Sequence, residues 1–210
     1  MDARKAVEED IKNCIRKATK LGILANPRMS GDFFKDRKSI SSKYTRFADK
    51  NDYLENYFRK YEKGEFLATL DDGAFFQIHY EFDIQSKRNT YLSKMNLCYL
   101  PPVSQSGELQ NEYIRIDFSN TTDNSFFHAY AHVHIGFGGE IRIPLNETLY
   151  FSEFLELILY LFYPDQFKLF CKDMRKMGNT RDKSQTGKLT KDKVLTKELE
   201  DFFYLRTVTV

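Results

Sequence analysis

The sequence predicts an α+β fold: an antiparallel meander of about six strands, with a core helix packed on one face and a flanking N-terminal helix. Three observations lead there. Strand-like alternation returns six times between residues 65 and 144, with connections short enough to make sequential strands antiparallel neighbours. Residues 151–163 are apolar around most of a helix yet too short to span a bilayer, so they suit a helix laid across a sheet. Residues 2–21 carry Val7, Ile11, Cys14, Ile15, Ala18 and Leu21 at helical spacing, with Gly22 where a helix ends.

After that helix the pattern dissolves over 25–42 into Pro, Gly, Ser and mixed charge. This is a connector with basic character from Arg28, Lys35, Arg37, Lys38, Lys43 and Arg46. Helical spacing recovers over 49–62 through Tyr53, Leu54, Tyr57, Phe58 and Tyr61, ending at Gly64. The strands follow: Glu65–Leu70, stopped by the Asp71-Asp-Gly73 turn; Ala74–Ile84; Thr90–Leu100; Glu112–Ser119; a histidine-rich strand over 126–136; and Glu140–Pro144. Pro101-Pro102 removes two donors and begins a loop to Asn111. A second helix starts at Pro164 through Phe167, Phe170, Cys171 and Met174. Residues 1–175 thus form one domain. Residues 176–193, with six basic and two acidic residues among small polar ones, read as a flexible basic linker or lid, and 194–210 as a C-terminal helix and tail packing on the domain.

Composition bounds the function. The 19 Phe and 13 Tyr, without Trp, make the core aromatic. The 32 basic residues against 30 acidic leave a net charge of only +2, so no global field marks a nucleic-acid binder and any such role falls to local patches. Cys14, Cys98 and Cys171 are scattered and odd in number, which argues against a disulfide framework and fits a reducing cytoplasm. Neither a signal-peptide core nor a membrane-spanning run is expected, so no membrane partner is.

Chemistry concentrates in the stretch from Phe126 to Gly136, which holds three of the four histidines. Alternation puts His128, Tyr130, His132 and His134 on one face of a strand and Ala129, Ala131, Val133 and Ile135 on the other. In the preceding strand Tyr113, Arg115 and Asp117 share the parity opposite to Ile114, Ile116 and Phe118. A five-residue turn over 120–124 would set Asp117 opposite His128, Arg115 opposite Tyr130 and Tyr113 opposite His132; a turn over 137–139 would set His134 opposite Arg142. One face would then gather three imidazoles able to act as acid or base, a carboxylate and two guanidinium groups, a set suited to phosphodiester chemistry. RNA cleavage in particular would require no metal, since the 2′-hydroxyl is the nucleophile. In that reading His132 and His134 are acid and base, His128 with Asp117 a supporting pair, and Arg115, Arg142, Tyr130 and Tyr113 bind substrate, with no cofactor.

Two other readings compete. His132 and His134 form an H-x-H pair able to chelate a metal with Asp117 or His128 as third ligand, but two arginines on that face would repel a cation, so the metal version ranks lower. The same residues can also form the partly solvated outer side of an antiparallel sheet. Clustering of the histidines favours function over that. His79, Glu81 and Asp83 alternate along their strand and are better read as solvent-facing, and Gly136-Phe-Gly-Gly139 as a hairpin turn.

The runs Tyr113-Ile-Arg-Ile-Asp117, His128-Ala-Tyr-Ala-His-Val-His-Ile-Gly136 and Arg142-Ile-Pro144, followed by Phe151, Phe154, Ile158 and Phe162-Tyr-Pro164, resemble a family of uncharacterised bacterial proteins known as a domain of unknown function. The likeness covers about residues 112–164. It implies a bacterial cytoplasmic protein of a kind that travels with mobile elements or antiphage defence genes, and it brings no reaction or catalytic residue to carry over. Taken together, the expectation is a nucleic-acid-directed activity of a defence or toxin system, most concretely a metal-independent endoribonuclease. The competing class is a non-enzymatic binding or adaptor subunit that recognises nucleic acid or a protein encoded nearby.

Overall fold

The computed structural model describes residues 2–29, 33–86, 89–120, 131–137, 141–145 and 148–177. Helix α1 (Ala3–Lys20) forms where its apolar stripe predicts, burying Val7, Ile11, Cys14, Ile15 and Ala18, and Asp2 caps it by accepting from the Lys5 amide. Helix α2 (Lys50–Lys63) starts at Asp49, whose side chain accepts from the amides of Asn51 and Asp52. It stops at Gly64, in the left-handed conformation a helix-terminating glycine adopts (φ +65°). Helices α3 (Phe151–Phe162) and α4 (Pro164–Met177) follow the sheet, separated at Tyr163 because Pro164 supplies no amide to continue the ladder. Among the described residues, no helix is long and apolar enough to cross a membrane.

The strands are β1 (Ser39–Ser41), β2 (Ala68–Thr69), β3 (Phe75–Ile84), β4 (Thr90–Leu100), β5 (Ile114–Ser119), β6 (Ala131–Ile135) and β7 (Ile141–Pro144). They make one antiparallel sheet in which β3 to β7 follow one another in chain order, while β1 and β2 both pair with the other edge of β3, at opposite ends of it. The fold is therefore the expected α+β meander with one strand more than expected. The extra one, β1, comes out of the supposed connector; three residues are too few to display a period, although Ile40 is fully buried. Predicted strand Glu65–Leu70 shrinks to β2, because Leu70 turns back to donate to Ala74 and closes the turn at Gly73.

Helices α1 and α3 cover one face. Ile78, Tyr80, Met95, Leu97, Ile114, Ile116 and Val133 point there, against Ile11, Ile15, Phe151, Phe154 and Ile158. Asp10 of α1 ties the two helices together by accepting from both the amide and the hydroxyl of Ser152. Helix α2 covers part of the opposite face. There Tyr53 and Tyr57 pack with Phe47, Phe66, Phe75, Cys98, Leu100 and Tyr113 in a second, aromatic core.

The registers expected from turn lengths hold on one side of the histidine strand and fail on the other. His134 does lie opposite Arg142. Across β5 and β6, however, Asp117 faces His132 and not His128, and Arg115 faces His134 and not Tyr130. Tyr113 lies beyond the last pair and accepts from the Gly136 amide. The five-residue turn expected over 120–124 does not fit this register, which sets Phe118 opposite Ala131. The slip is four residues, an even number, so every side chain keeps its face. His128 and Tyr130 lie outside the described residues, as do the side chain of Arg142, the tail over 194–210 and all of the 176–193 segment but its first two residues.

Candidate functional site

Cross-strand pairing converts the parity pattern into rows. Gln77, Cys98, Arg115, His134 and Arg142 are successive partners across β3 to β7. The next row is His79, Asn96, Asp117 and His132. Below the first row lies the aromatic core under α2, with Phe75 paired to Leu100. Beyond the second comes Glu81 paired to Lys94, joined by a 3.5 Å ion pair between half-exposed side chains. This face therefore grades along the strands from aromatic interior to solvent, and the histidines, Arg115 and Asp117 occupy the transition.

Burial decides against the partly solvated outer face. Arg115 is 5 % exposed, His132 7 %, His134 2 % and Asn96 7 %. Ionisable groups are rarely this buried unless paired, and each such group must be satisfied or account for its cost.

Asp117 is the hub. Its Oδ2 accepts from Arg115 Nε at 2.9 Å, with Nη2 also at 2.9 Å, and its Oδ1 accepts from Asn96 Nδ2 at 2.7 Å. His134 Nε2 stands 3.2 Å from Oδ2, close enough to act on the carboxylate but without the geometry of a well-formed hydrogen bond. Burial alone would push the Asp117 carboxyl up; the His134 contact, the Arg115 charge and the Asn96 hydrogen bond outweigh it and hold the group below its ordinary range. Arg115 shows the mirror image. Burial disfavours its charge, and the adjacent Asp117 more than restores it. The two imidazoles meet edge to face with ring centroids 4.6 Å apart.

Two flanking groups close the site from the α2 side. Cys98 is fully buried beside Arg115, its thiol pushed up to about 12 by burial and so kept protonated. Tyr44 stacks on His79 at 6.2 Å, and burial raises its hydroxyl above the ordinary tyrosine range.

Of the residues expected at the site, the structure brings together Asp117, Arg115, His132 and His134, and places the Arg142 backbone opposite His134. Tyr113 shares the face but belongs to the aromatic core, stacked on Phe137 with centroids 4.6 Å apart and its hydroxyl 3.4 Å from Cys98 Sγ. Of the two guanidinium groups expected to hold phosphate, that of Arg115 is committed to Asp117. Sequence reading missed Asn96 and Tyr44. Asn96 had a signal, the polar parity of its strand, whereas Tyr44 comes from an irregular segment with none. His79 was expected in solvent; it is partly buried, in the Asp117 row, with Nε2 2.7 Å from Glu81 Oε1. A surface cleft of about 640 Å³ lies elsewhere, lined by Asp49, Lys50, Asn111, Glu112, Phe137 and Phe162, with none of these groups.

Chemically, the arrangement holds one carboxylate ionised against two imidazoles. His132, His134 and Asp117 each offer a ligand atom, all within 4.8 Å of one another. No curated protein and no solved structure matches the chain. Residues 103–203, just under half of the chain and including β5 to α4, match the model of a family described as an uncharacterized conserved protein, DUF2290; an uncharacterised domain of unknown function is what this half of the chain is similar to.

Proposed function

We propose that the protein cleaves phosphodiester bonds of nucleic acid, RNA being the substrate class, at the centre formed by Asp117, His132 and His134. One observation carries the reading: two buried imidazoles in mutual contact beside a carboxylate kept ionised by a guanidinium and an amide. A sheet does not bury such a group for stability, because apolar residues of similar volume serve as well or better. RNA suits the centre because its own 2′-oxygen attacks phosphorus. The P–O2′ bond forms, the P–O5′ bond breaks, the hydroxyl proton passes to a base and the departing oxygen takes one from an acid. Substrate reaches the centre from the Glu81 and Lys94 end, where the face opens to solvent. The basic residues over 28–46 lie in the segment that carries Tyr44 and are the groups available to hold the backbone. A setting in bacterial defence or in a toxin system is part of the same proposal.

The test is RNA degradation by the purified protein, with and without chelator, against His132→Ala and His134→Ala, together with growth on expression. Wild-type cleavage lost in both variants is the expected result. RNA left intact by wild type, with harmless expression, would remove the reading. That outcome would promote a non-enzymatic binding subunit, which one observation favours: Arg115 is 5 % exposed and already paired, as a structural ion pair would be.

A further inference from the structure

The polar atoms around Asp117 do not all find partners. Among the described residues, His134 Nδ1 and Nε2 and Asn96 Oδ1 are buried with no hydrogen-bond partner. A buried imidazole with neither nitrogen bonded is costly, and such atoms in folded proteins generally face a water or an ion. His134 Nε2 is also aimed at a carboxylate, 3.2 Å from Asp117 Oδ2, without bonding to it.

We infer that His132, His134 and Asp117 bind a single divalent cation of the zinc class. The backbone already sets the ligands: His132 is the direct cross-strand partner of Asp117, and His134 is two residues along on the same face. Their donor atoms fall within 4.8 Å of one another, whereas donors on a tetrahedral zinc at ~2.1 Å stand about 3.4 Å apart. Closing that gap takes side-chain rotation, with no change of register. Two imidazoles and a carboxylate are the donor set of a catalytic site that keeps a position open, and imidazole selects zinc-like over alkaline-earth cations.

The surroundings suit ligation. Asn96 Nδ2 and Arg115 Nε donate to the carboxylate and fix its orientation, as the outer partners of ligating carboxylates do. The repulsion expected from arginines is weaker than the sequence suggests, because Arg115 is neutralised by Asp117 at 2.9 Å. Asn96 Oδ1 leaves an unfilled acceptor beside the carboxylate for a water on the open position. The site itself stands on geometry; its use in phosphodiester chemistry rests on the function proposed above. There the cation would polarise a phosphoryl oxygen, and the imidazoles would act as ligands instead of proton carriers.

The experiment uses the full chain, stripped with chelator, dialysed and titrated with Zn²⁺ by calorimetry, with Co²⁺ substitution read by absorption. One equivalent per chain and the intense d–d bands of four-coordinate cobalt are expected. His132→Ala, His134→Gln and Asp117→Asn should abolish both while retaining the wild-type circular dichroism spectrum. Asn96→Ala should weaken binding by roughly 10- to 100-fold, and His79→Ala should leave it unchanged. No binding by folded wild type overturns the inference, as does equal binding by the His132→Ala/His134→Gln double variant. RNA cleavage measured on the same samples separates the two claims: metal bound without cleavage keeps the site and removes the RNA reading, and cleavage by metal-free protein that shows no metal binding keeps the RNA reading and removes the site.

Discussion

Midway along the β3 to β6 strands both faces of the sheet are buried, and there they carry opposite chemistry. Under α1 and α3, Ile78, Met95, Leu97, Ile116 and Val133 are at most 1 % exposed and purely apolar. Across the same backbone, Gln77, Asn96, Arg115, His132 and His134 are at most 7 % exposed and all carry hydrogen-bonding side chains. Burial removes water from both, but only the first gains from it. The apolar face stabilises roughly in proportion to area, whereas the polar face recovers at best what desolvation costs. Beyond that set the face ends at Glu81 and Lys94, whose side chains are half-exposed.

The largest difference should come from the apolar side. Phe154 of α3 is fully buried and meets Phe76 edge to face at 6.1 Å. Phe154→Ala is expected to cost about 4 kcal/mol, measured by urea unfolding, through lost transfer energy and the cavity left behind. A cost below about 1 kcal/mol would mean that α3 is not the core helix, and the contrast between the faces would fail.

Next in size is Asp117→Ala. It strands a guanidinium that is 5 % exposed and is expected to cost about 3 kcal/mol, since the penalty of an uncompensated charge exceeds the worth of the pair. The pH dependence has a definite sign. The folded-state carboxyl titrates below its ordinary range, so its ionisation favours folding. That contribution is fully present above the unfolded value of about 3.9 and disappears as pH falls through the lower folded value. Glu8, Glu65 and Glu81 are also lowered, so the useful quantity is wild type minus Asp117→Asn, which should be largest near neutrality and shrink below pH about 4. A difference that stays constant with pH would show that Asp117 acts by shape alone.

The division between faces was legible in the sequence, because parity survives an even slip. Asp117, Arg115, His132 and His134 share a face whether β6 pairs as first estimated or four residues further on. What pairs with what was not legible, since alternation within each strand does not encode the register between them. Nor was burial of the polar face. Tyr44, which stacks on His79, and Phe47 of the aromatic core come from an irregular segment distant in sequence from these strands and leave no periodic trace. Asn96 lay in plain view at the right parity, but a polar residue on an alternating strand is ordinary, and only the 2.7 Å bond to Asp117 gives it meaning.

The smallest expected effect is the sharpest probe of what the polar face is for. His134 is 2 % exposed, and neither ring nitrogen has a hydrogen-bond partner. Leucine has nearly the same volume and no polar atoms to desolvate, so His134→Leu should change metal-free stability by less than about 1 kcal/mol, in either direction. Asp117 keeps Arg115 and Asn96 in that variant, so the ion pair is not exposed. If His134 served the fold, its loss would rank beside that of Asp117. If it serves chemistry, unfolding curves of variant and wild type should nearly superimpose while RNA cleavage is lost, the pattern of a residue kept at the expense of stability. A loss of 2 kcal/mol or more, about the cost of a structural buried polar group, would return the histidine to the architecture and take the proposed centre with it.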